Sequence, residues 1–207
     1  IEILRLMGDF ELIGLLDPKP ELKDTEVLKV PVLGDDSLLP DLYRQGVLHV
    51  FLGLGSTGDT QPRRNLYEHA LAQGFLPVQA LHPQSIVSPS AVLGDGLTVM
   101  AGAIINAEAR LGHNVIVNTG AIIEHDCEIG NHVHIATGVQ LASTVRIGDG
   151  AHIGVGATVL QSVSIGNGAI VGAGAAVVKD VGTRTVVVGV PAHILKNRGI
   201  DSSAFPT

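Results

Sequence analysis

Aliphatic residues recur at every sixth position of this chain from Val87 onward, and a second, mostly small residue such as Ala103 or Cys127 comes four positions after each of them. Sixteen of these six-residue units follow one another without a break between residues 87 and 182. An amphipathic helix repeats every 3.6 residues and a strand every two, so a period of six predicts short strands joined by tight corners, with each coil stacked on the last. The aliphatic side chains would fill the interior, and each is covered only when coils lie above and below it.

The small residues and the glycines of the repeat refine this prediction. Cys127 occupies a small-residue position, so we expect its side chain to pack inside the coil and not to act as a nucleophile. Glycine often follows the aliphatic residue, where we expect it to supply the backbone angles that a corner requires. The glycines at this position are Gly94, Gly112, Gly130, Gly148, Gly154, Gly166 and Gly172.

Residues 1–81 have a different pattern, in which strands are predicted at 10–17, 47–55 and 75–81. A short helix is expected to end at Gly46, and residues 60–74 predict a longer one with Thr60 as its N-cap. This alternation predicts a small parallel α/β (Rossmann-like) domain, followed by the repeats over 82–192 and a tail over 193–207. Residues 53–58 spell G-x-G-x-x-G, but the domain is too short for a full dinucleotide fold. A phosphate or nucleotide cradle and a plain glycine-rich turn remain equally open.

Composition and charge narrow the classes of function. Aromatic residues make up only 3% of the chain and Trp is absent, as expected for thin layers of aliphatic side chains. The net charge of −7 argues against a nucleic-acid partner, which requires clustered Lys and Arg. A single Cys cannot form an internal disulfide, so a cytoplasmic location is expected. Residues 153–178 carry no charge, but Gly, Ser, Asn and Gln interrupt them regularly, so we expect no membrane span.

The segment NTGAIIEHDCEIGNHVHIATGV, residues 118–139, carries more polar groups than a packing repeat needs. Together with the α/β domain and the joining segment HPQSIVSPSA, residues 82–91, it resembles the NeuD/PglD-type sugar acyltransferases of the hexapeptide-repeat class. The resemblance implies a left-handed parallel β-helix with three hexads per coil, whereas the general rule for parallel crossovers predicts a right-handed one. It also implies a homotrimer with active sites between subunits, which acetylates the amino group of a UDP-linked 4-amino sugar with acetyl-CoA as co-substrate and no metal.

The same resemblance implies roles for individual residues. His125 is similar to the family's general base, and Asp126 to the carboxylate that makes this imidazole a better base. Asn118 resembles the residue near the acceptor amine. The positions similar to those that contact acetyl-CoA are His134, Ser143, Val155 and Ala173, with a backbone N–H near Ser143 as an oxyanion donor.

On the nucleotide-sugar side, the resemblance points to Asp17 at the end of a strand and to Gly55 in the glycine-rich run. The family's first strand, with its glycine-rich loop and His, has no counterpart here, because the chain opens at Ile1 without Met. Pro18 also stands where some relatives have a second acidic residue, so the resemblance leaves open which base is recognised.

The spacing of the histidines predicts that the active site is shared between two subunits. Positions 18 apart stack on one face, as His134 and His152 would, but His125 is nine residues from His134. At ~3.3 Å per residue the two rings lie on the order of 15 Å apart in one chain. A site that uses both would join two subunits. We expect His113, His132 and His152 to be solvated corner residues.

The spacing of the histidines argues against one alternative function, and two others remain open. A zinc enzyme similar to the γ-class carbonic anhydrases needs two His five residues apart, a spacing that none of the nine histidines has. The acceptor could instead be a hydroxyl of a sialic-acid-type sugar, which would make the enzyme an O-acetyltransferase. Finally, the chain could be a non-catalytic β-helix scaffold.

Overall fold

The computed structural model describes residues 1–56 and 58–198, and the N-terminal part of the chain forms two small sheets with helices around them. Strands β1 (Leu15–Leu16), β3 (Val30–Gly34) and β2 (Glu26–Val27) form one sheet in that order, with β1 parallel and β2 antiparallel to β3. Strand β4 (His49–Val50) pairs with β5 (Leu76–Pro77) in a separate parallel ladder. The elements are α1 (Glu2–Met7), β1 (Leu15–Leu16), β2 (Glu26–Val27), β3 (Val30–Gly34), α2 (Leu39–Arg44), β4 (His49–Val50), α3 (Gln61–Ala72) and β5 (Leu76–Pro77), with 3₁₀ turns at Pro20–Leu22 and Asp36–Leu38.

The strands of this domain are much shorter than the sequence predicts. Residues 10–17 and 47–55 contain only the two-residue strands β1 and β4, because an alternating sequence permits an extended backbone but only a hydrogen-bonded neighbour makes it a strand. The two helices lie where they were predicted. Thr60 is the N-cap of α3 by position, yet its hydroxyl donates to the carbonyl of Gly150 at 3.0 Å, and Asp59 accepts from the backbone N–H of Gln61 at 3.0 Å instead.

From Ala80 the chain winds into a parallel β-helix of two-residue strands. Each strand pairs with its equivalent in the next coil, as in Ile104 with Ile122 and His134 with His152, so three hexads make one coil, as the resemblance implies. The strands are β6 (Ala80–Leu81), β7 (Ile86–Val87), β8 (Val92–Leu93), β9 (Thr98–Val99), β10 (Ile104–Ile105), β11 (Arg110–Leu111), β12 (Ile116–Val117), β13 (Ile122–Ile123), β14 (Glu128–Ile129), β15 (His134–Ile135), β16 (Gln140–Leu141), β17 (Arg146–Ile147), β18 (His152–Ile153), β19 (Thr158–Val159), β20 (Ser164–Ile165), β21 (Ile170–Val171) and β22 (Ala176–Val177).

Three flat faces result. The first face contains β6, β9, β12, β15, β18 and β21, the second contains β7, β10, β13, β16, β19 and β22, and the third contains β8, β11, β14, β17 and β20. The first corner joins the first face to the second, as at residues 118–121, and the second corner joins the second face to the third, as at 124–127. Strands β23 (Thr185–Val188) and β24 (His193–Asn197) close the far end as an antiparallel hairpin at the edge of the first face. The predicted tail thus begins as a strand.

The repeat forms the main hydrophobic core. The aliphatic residues and the small residues from Leu97 to Val177 are almost fully buried in one continuous cluster. The sixteen hexads predicted from the period correspond to the sixteen strands β7–β22. Each interior side chain is covered by its equivalents in the coils before and after, so stability accumulates along the stack.

The glycines that follow the aliphatic residues do not have the role we predicted. Gly130 does not adopt a positive φ, but a Cβ built there would lie 2.8 Å from the backbone nitrogen of Asp149 in the next coil. These glycines therefore allow close approach between coils. The left-handed backbone occurs at a different position of the hexad, where Gly120 and Gly138 have φ near 65° and Asp126 has φ 59°. Asp tolerates this conformation better than most side chains.

Cys127 packs in the interior, as predicted. Its side chain is fully buried, Sγ donates to the carbonyl of Ala142 at 3.2 Å, and burial raises its pKa to about 11. The thiol is therefore protonated at the mildly alkaline pH of a disulfide-exchange assay, and a protonated thiol is a poor nucleophile. We expect the folded protein to give no colour with a thiol-reactive disulfide reagent, and the denatured protein to release one equivalent. Rapid reaction of the folded protein would contradict this burial.

Among residues 1–56 and 58–198, no helix combines the length and the apolar composition needed to cross a membrane.

Candidate active site

An exposed imidazole–carboxylate pair lies on the second corner of the β-helix. Nδ1 of His125 is 2.7 Å from Oδ2 of Asp126, and both side chains are a little over half exposed. Because an ionised carboxylate only accepts hydrogen bonds, Nδ1 carries the proton of the neutral imidazole, and the lone pair is on Nε2. The pair thus presents a basic nitrogen to the outside of the coil, in the arrangement expected of a general base with an orienting acid.

The neighbouring coils hold this pair in place. The carbonyl of His125 accepts from the N–H of Thr144 at 3.0 Å, and the N–H of Asp126 donates to the carbonyl of Ala107 at 3.0 Å. Ser143 comes three hexads after His125 and occupies the equivalent place on the second corner of the next coil. The structure therefore places Ser143 on the same edge as the pair, as the sequence predicts.

A cavity of about 790 Å³ lies between the N-terminal domain and the first face. Helix α1 and residues 51–55 line one side, including Gly55, and Thr98, Ile116 and His134 from the first face line the other. Asn118 and Thr119 of the first corner also contribute. The cavity thus brings together three of the predicted site residues, Gly55, Asn118 and His134.

The hydrogen bonds of His134 determine its tautomer. Its Nδ1 is 2.5 Å from the carbonyl oxygen of Ser56, so Nδ1 donates, and Nε2 accepts from Nδ2 of Asn118 at 3.4 Å. Burial lowers the pKa of His134, the hydrogen bond to Ser56 partly opposes this shift, and the positive charge of Arg63 lowers the pKa further. The ring is therefore neutral at physiological pH. It is 8% exposed and connects the glycine-rich run to the carboxamide of Asn118.

His152 is not the solvated corner residue that we expected. It lies in β18 directly beside His134 with the ring centroids 4.9 Å apart in a T-shaped contact, and it is 9% exposed. Burial, followed by the proximity of His134, lowers its pKa to about 4. The outward position of a first-face strand is covered here by the N-terminal domain. His132 is half buried against Tyr67, and His113 is exposed, as expected.

The remaining predicted residues lie at two places. Val155 and Ala173 are exposed on the first corner, above Asn118. Asp17 follows β1 and accepts from the N–H of Lys19 at 2.9 Å, and it is not one of the residues lining the cavity. His125 and Asn118 are on different corners, with the second face between them. A single protomer therefore does not bring the predicted base and the predicted amine-binding residue together.

Sequence reasoning missed Arg63, which is 4% exposed at the wall of the cavity. Its guanidinium donates to the carbonyls of Leu52 and Leu54, both at 2.6 Å, and to Oγ1 of Thr98 at 3.3 Å. The pattern contained a signal, because Arg63 shares the buried side of α3 with Tyr67 and Ala70, four and seven residues later. An arginine on the apolar stripe of a helix indicates a buried polar contact.

Across the part of the chain that the structure describes, no group of three His, Cys, Asp or Glu side chains is arranged to hold a metal ion.

Known proteins resemble the chain over nearly its whole length. A family model described as bacterial transferase hexapeptide (six repeats) matches residues 144–179. PerB from Caulobacter crescentus, solved in complex with CoA and GDP-perosamine, is 41% identical; the match covers 96% of this chain and 90% of PerB with a TM-score of 0.85. The acetyltransferase domain of PglB from Neisseria gonorrhoeae FA1090, solved with acetyl coenzyme A, is 36% identical, with coverage of 94% and 91% and a TM-score of 0.86.

WeeI from Acinetobacter baumannii AYE has the same fold at 24% identity, with coverage of 94% of this chain and 93% of WeeI and a TM-score of 0.76. A comparison with the curated proteins found no match.

Proposed function

Because this chain belongs to the left-handed β-helix sugar N-acetyltransferases, we propose that it transfers acetyl from acetyl-CoA to the amino group of a nucleotide-linked 4-amino sugar, with His125 as the general base. The observation that carries this proposal is the hydrogen bond between Nδ1 of His125 and Asp126 on an exposed corner, which places the proton of the neutral imidazole on Nδ1 and the lone pair on Nε2. An amine attacks a thioester only through its free lone pair, and Nε2 is able to take the proton that the amine loses.

In the proposed reaction, the sugar nitrogen attacks the thioester carbonyl as Nε2 of His125 accepts a proton from it. The C–N bond forms, and the carbonyl oxygen takes the negative charge beside the backbone near Ser143. Collapse of this intermediate breaks the C–S bond, and the imidazolium returns its proton to the departing thiolate. Asp126 keeps the ring in one tautomer throughout and stabilises its charged form. The products are the N-acetylated sugar and free CoA.

We place the acceptor sugar in the cavity under the N-terminal domain, with its amino group near Asn118. The hydrogen bond from Asn118 to Nε2 of His134 orients this carboxamide, and His134 is itself anchored to Ser56. The contact of His134 with acetyl-CoA stays a prediction. We place the coenzyme along the exposed first corner, where Val155 and Ala173 lie, with Ser143 of a neighbouring subunit across from them.

The nucleotide part of the acceptor is proposed to lie between Gly55 and Asp17. The sequence predicts UDP, whereas the relative PerB was solved with GDP-perosamine. Asp17 has a carboxylate that is able to accept from ribose hydroxyls or from the N–H groups of guanine.

We also propose a homotrimer packed through the second face. The outward residues of this face are Ile86, Ile104 and Ile122, then Gln140, Thr158 and Ala176, and none of them is charged. The N-terminal domain covers the first face, and the third face carries an ion pair between Arg146 and Glu128 at 3.6 Å. The second face is therefore the side most suited to a subunit contact.

Threefold symmetry about an axis beside the second face completes the site. In such a trimer, the second corner of one subunit meets the first corner of the next. His125, Asp126 and Ser143 of one subunit then face Asn118, Val155 and Ala173 of its neighbour. This arrangement would bring together the base and the amine-binding residue, which lie on different corners of one protomer.

The test is an acetyl-CoA turnover assay that detects free CoA thiol, run with UDP- and GDP-linked 4-amino sugars and with sialic acids. We expect turnover on a nucleotide-linked amine, and mass spectrometry of the product should show one added acetyl group on nitrogen. Turnover only on hydroxyl acceptors would favour O-acetylation instead. No turnover on any acceptor would support a non-catalytic scaffold.

A further inference from the structure

Arg63 combines deep burial with the absence of a charged partner. Its three acceptors, the carbonyls of Leu52 and Leu54 and the hydroxyl of Thr98, are all neutral. None of the ion pairs among the described residues includes it. Burial lowers its pKa to about 10, so the guanidinium is still protonated at neutral pH. A buried cation without a carboxylate is destabilising, unless a ligand supplies the missing negative charge.

Arg63 also determines which way residues 52–56, the glycine-rich run, face. The carbonyls of Leu52 and Leu54 point to Arg63, and the carbonyl of Ser56 points to His134. Alternate residues of the run are thus attached to the body of the protein. The residues between them, Gly53 and Gly55, line the cavity, and a Cβ built on either meets no atom within 4 Å. Backbone at these two glycines is therefore open to a bound group.

The wall of the cavity needs this charge if it is to hold an anion. The chain as a whole carries a net charge of −7, which repels a polyanion. The other charged residues lining the cavity are Glu2 and Arg5 of α1, which are exposed and of opposite sign. Arg63 is the buried cation of this wall.

We propose that Arg63 is a positioning residue that makes the glycine-rich run a diphosphate-binding element. It holds Gly53 and Gly55 toward the cavity, and from behind the run it supplies the positive charge that balances the diphosphate of the nucleotide sugar. This inference rests on the proposed function, since it concerns the same acceptor site. Backbone groups of glycines near a fixed positive charge form a common cradle for phosphates.

The experiment measures binding by titration calorimetry, with UDP, UMP and uridine and with GDP, GMP and guanosine as probes. Arg63→Lys and Arg63→Gln form the central comparison, because both lose the forked guanidinium but only the first keeps the charge. We expect Arg63→Gln to weaken binding of the nucleoside diphosphate by about 10- to 100-fold and binding of the nucleoside much less. Arg63→Lys should keep most of the preference for the diphosphate.

Arg64→Gln is the matched control, because it removes the same charge from the next residue of α3, where the side chain is exposed, paired with Glu68 at 2.7 Å and outside the cavity lining. Its ratio of diphosphate to nucleoside affinity should equal that of the wild type. Circular dichroism and thermal melting establish that each variant is folded, and the Lys and Gln variants each provide an independent comparison with the wild type. Equal losses for diphosphate and nucleoside, or equal behaviour of the Lys and Gln variants, would overturn the proposal and leave Arg63 a structural residue.

Turnover measured in parallel separates this inference from the proposed function. Acetyl transfer by the wild type, with no change of the affinity ratio in Arg63→Gln, overturns the inference alone. If the diphosphate preference depends on Arg63 but no nucleotide-linked amine is acetylated, the proposed function is overturned and the inference about the diphosphate-binding element still holds.

Discussion

His125→Asn lowers kcat for acetyl transfer by about 10²- to 10⁴-fold, the usual contribution of a positioned general base, if the proposed mechanism is correct. The carboxamide has a similar shape but cannot accept a proton at neutral pH. Because His125 is exposed on a corner, its replacement should leave the melting temperature nearly unchanged. Steady-state kinetics with varied acetyl-CoA and varied nucleotide amino sugar would show the loss in kcat, with KM changed little.

The matched control is His113→Asn. His113 is another exposed imidazole near a carboxylate, with Nδ1 3.4 Å from Oδ2 of Asp95. It lies on the corner that joins the third face to the first, away from the second face through which the proposed trimer packs. This variant should keep wild-type turnover. The turnover of Asp126→Ala should lie between those of His125→Asn and His113→Asn, since the imidazole of His125 loses its orienting acid but keeps a basic nitrogen. Full activity of His125→Asn would remove the general base from the mechanism.

Mixed trimers of two inactive variants should recover activity, because each proposed site takes its base from one subunit and its acceptor-binding residue from the next. We expect His125→Asn and Asn118→Ala to be strongly impaired as homotrimers. When equal amounts of the two are co-expressed and assembled at random, about one quarter of the sites combine a wild-type second corner with a wild-type first corner. The mixture should therefore show roughly one quarter of wild-type kcat per site.

The measurement needs two differently tagged subunits and an estimate of mass by light scattering. Trimers purified through both tags contain no homotrimers, so about one third of their sites are intact and about one third of wild-type kcat per site is expected, against one quarter before this purification. A wild-type subunit mixed with itself controls for the tags. If both sides of the site belong to one subunit, no mixture contains an intact site and no activity returns. A monomer in solution with full activity would contradict the shared site as well as the proposed trimer.

The architecture of the repeats was readable from the sequence to an unusual degree. Each interior position demands an aliphatic or a small residue at one fixed place in six, so the period specifies the coil without reference to distant parts of the chain. The sixteen strands and the position of Cys127 followed from this rule. The role predicted for the glycines was wrong. Gly130 allows two successive coils to approach each other closely. This is a contact between separate turns of the chain, which an argument about local backbone angles does not consider.

Part of the candidate site could likewise be predicted from the sequence, and part could not. His125 and Asp126 are adjacent in the chain, so the sequence alone indicated an imidazole next to a carboxylate, but only the structure shows that the two side chains are hydrogen-bonded. His152 occupies the outward position of a strand, which reads as exposed, and only the docking of the N-terminal domain buries it. Arg63 lies on the apolar side of α3, which indicates burial, but only the tertiary structure determines that its acceptors are the carbonyls of Leu52 and Leu54 and the hydroxyl of Thr98.

By itself, then, the sequence determined the stacked coils, the buried thiol and the His125–Asp126 pair, because each depends on residue types at short, regular separations. Only the tertiary structure decided how residues 52–56 lie against the first face, through contacts such as Ser56 with His134, 78 residues apart, and Arg63 with Thr98, 35 residues apart. Such pairs have no periodicity to mark them in the sequence. They form only because two distant parts of the chain bury a shared surface, whose polar groups must then find hydrogen-bond partners in each other.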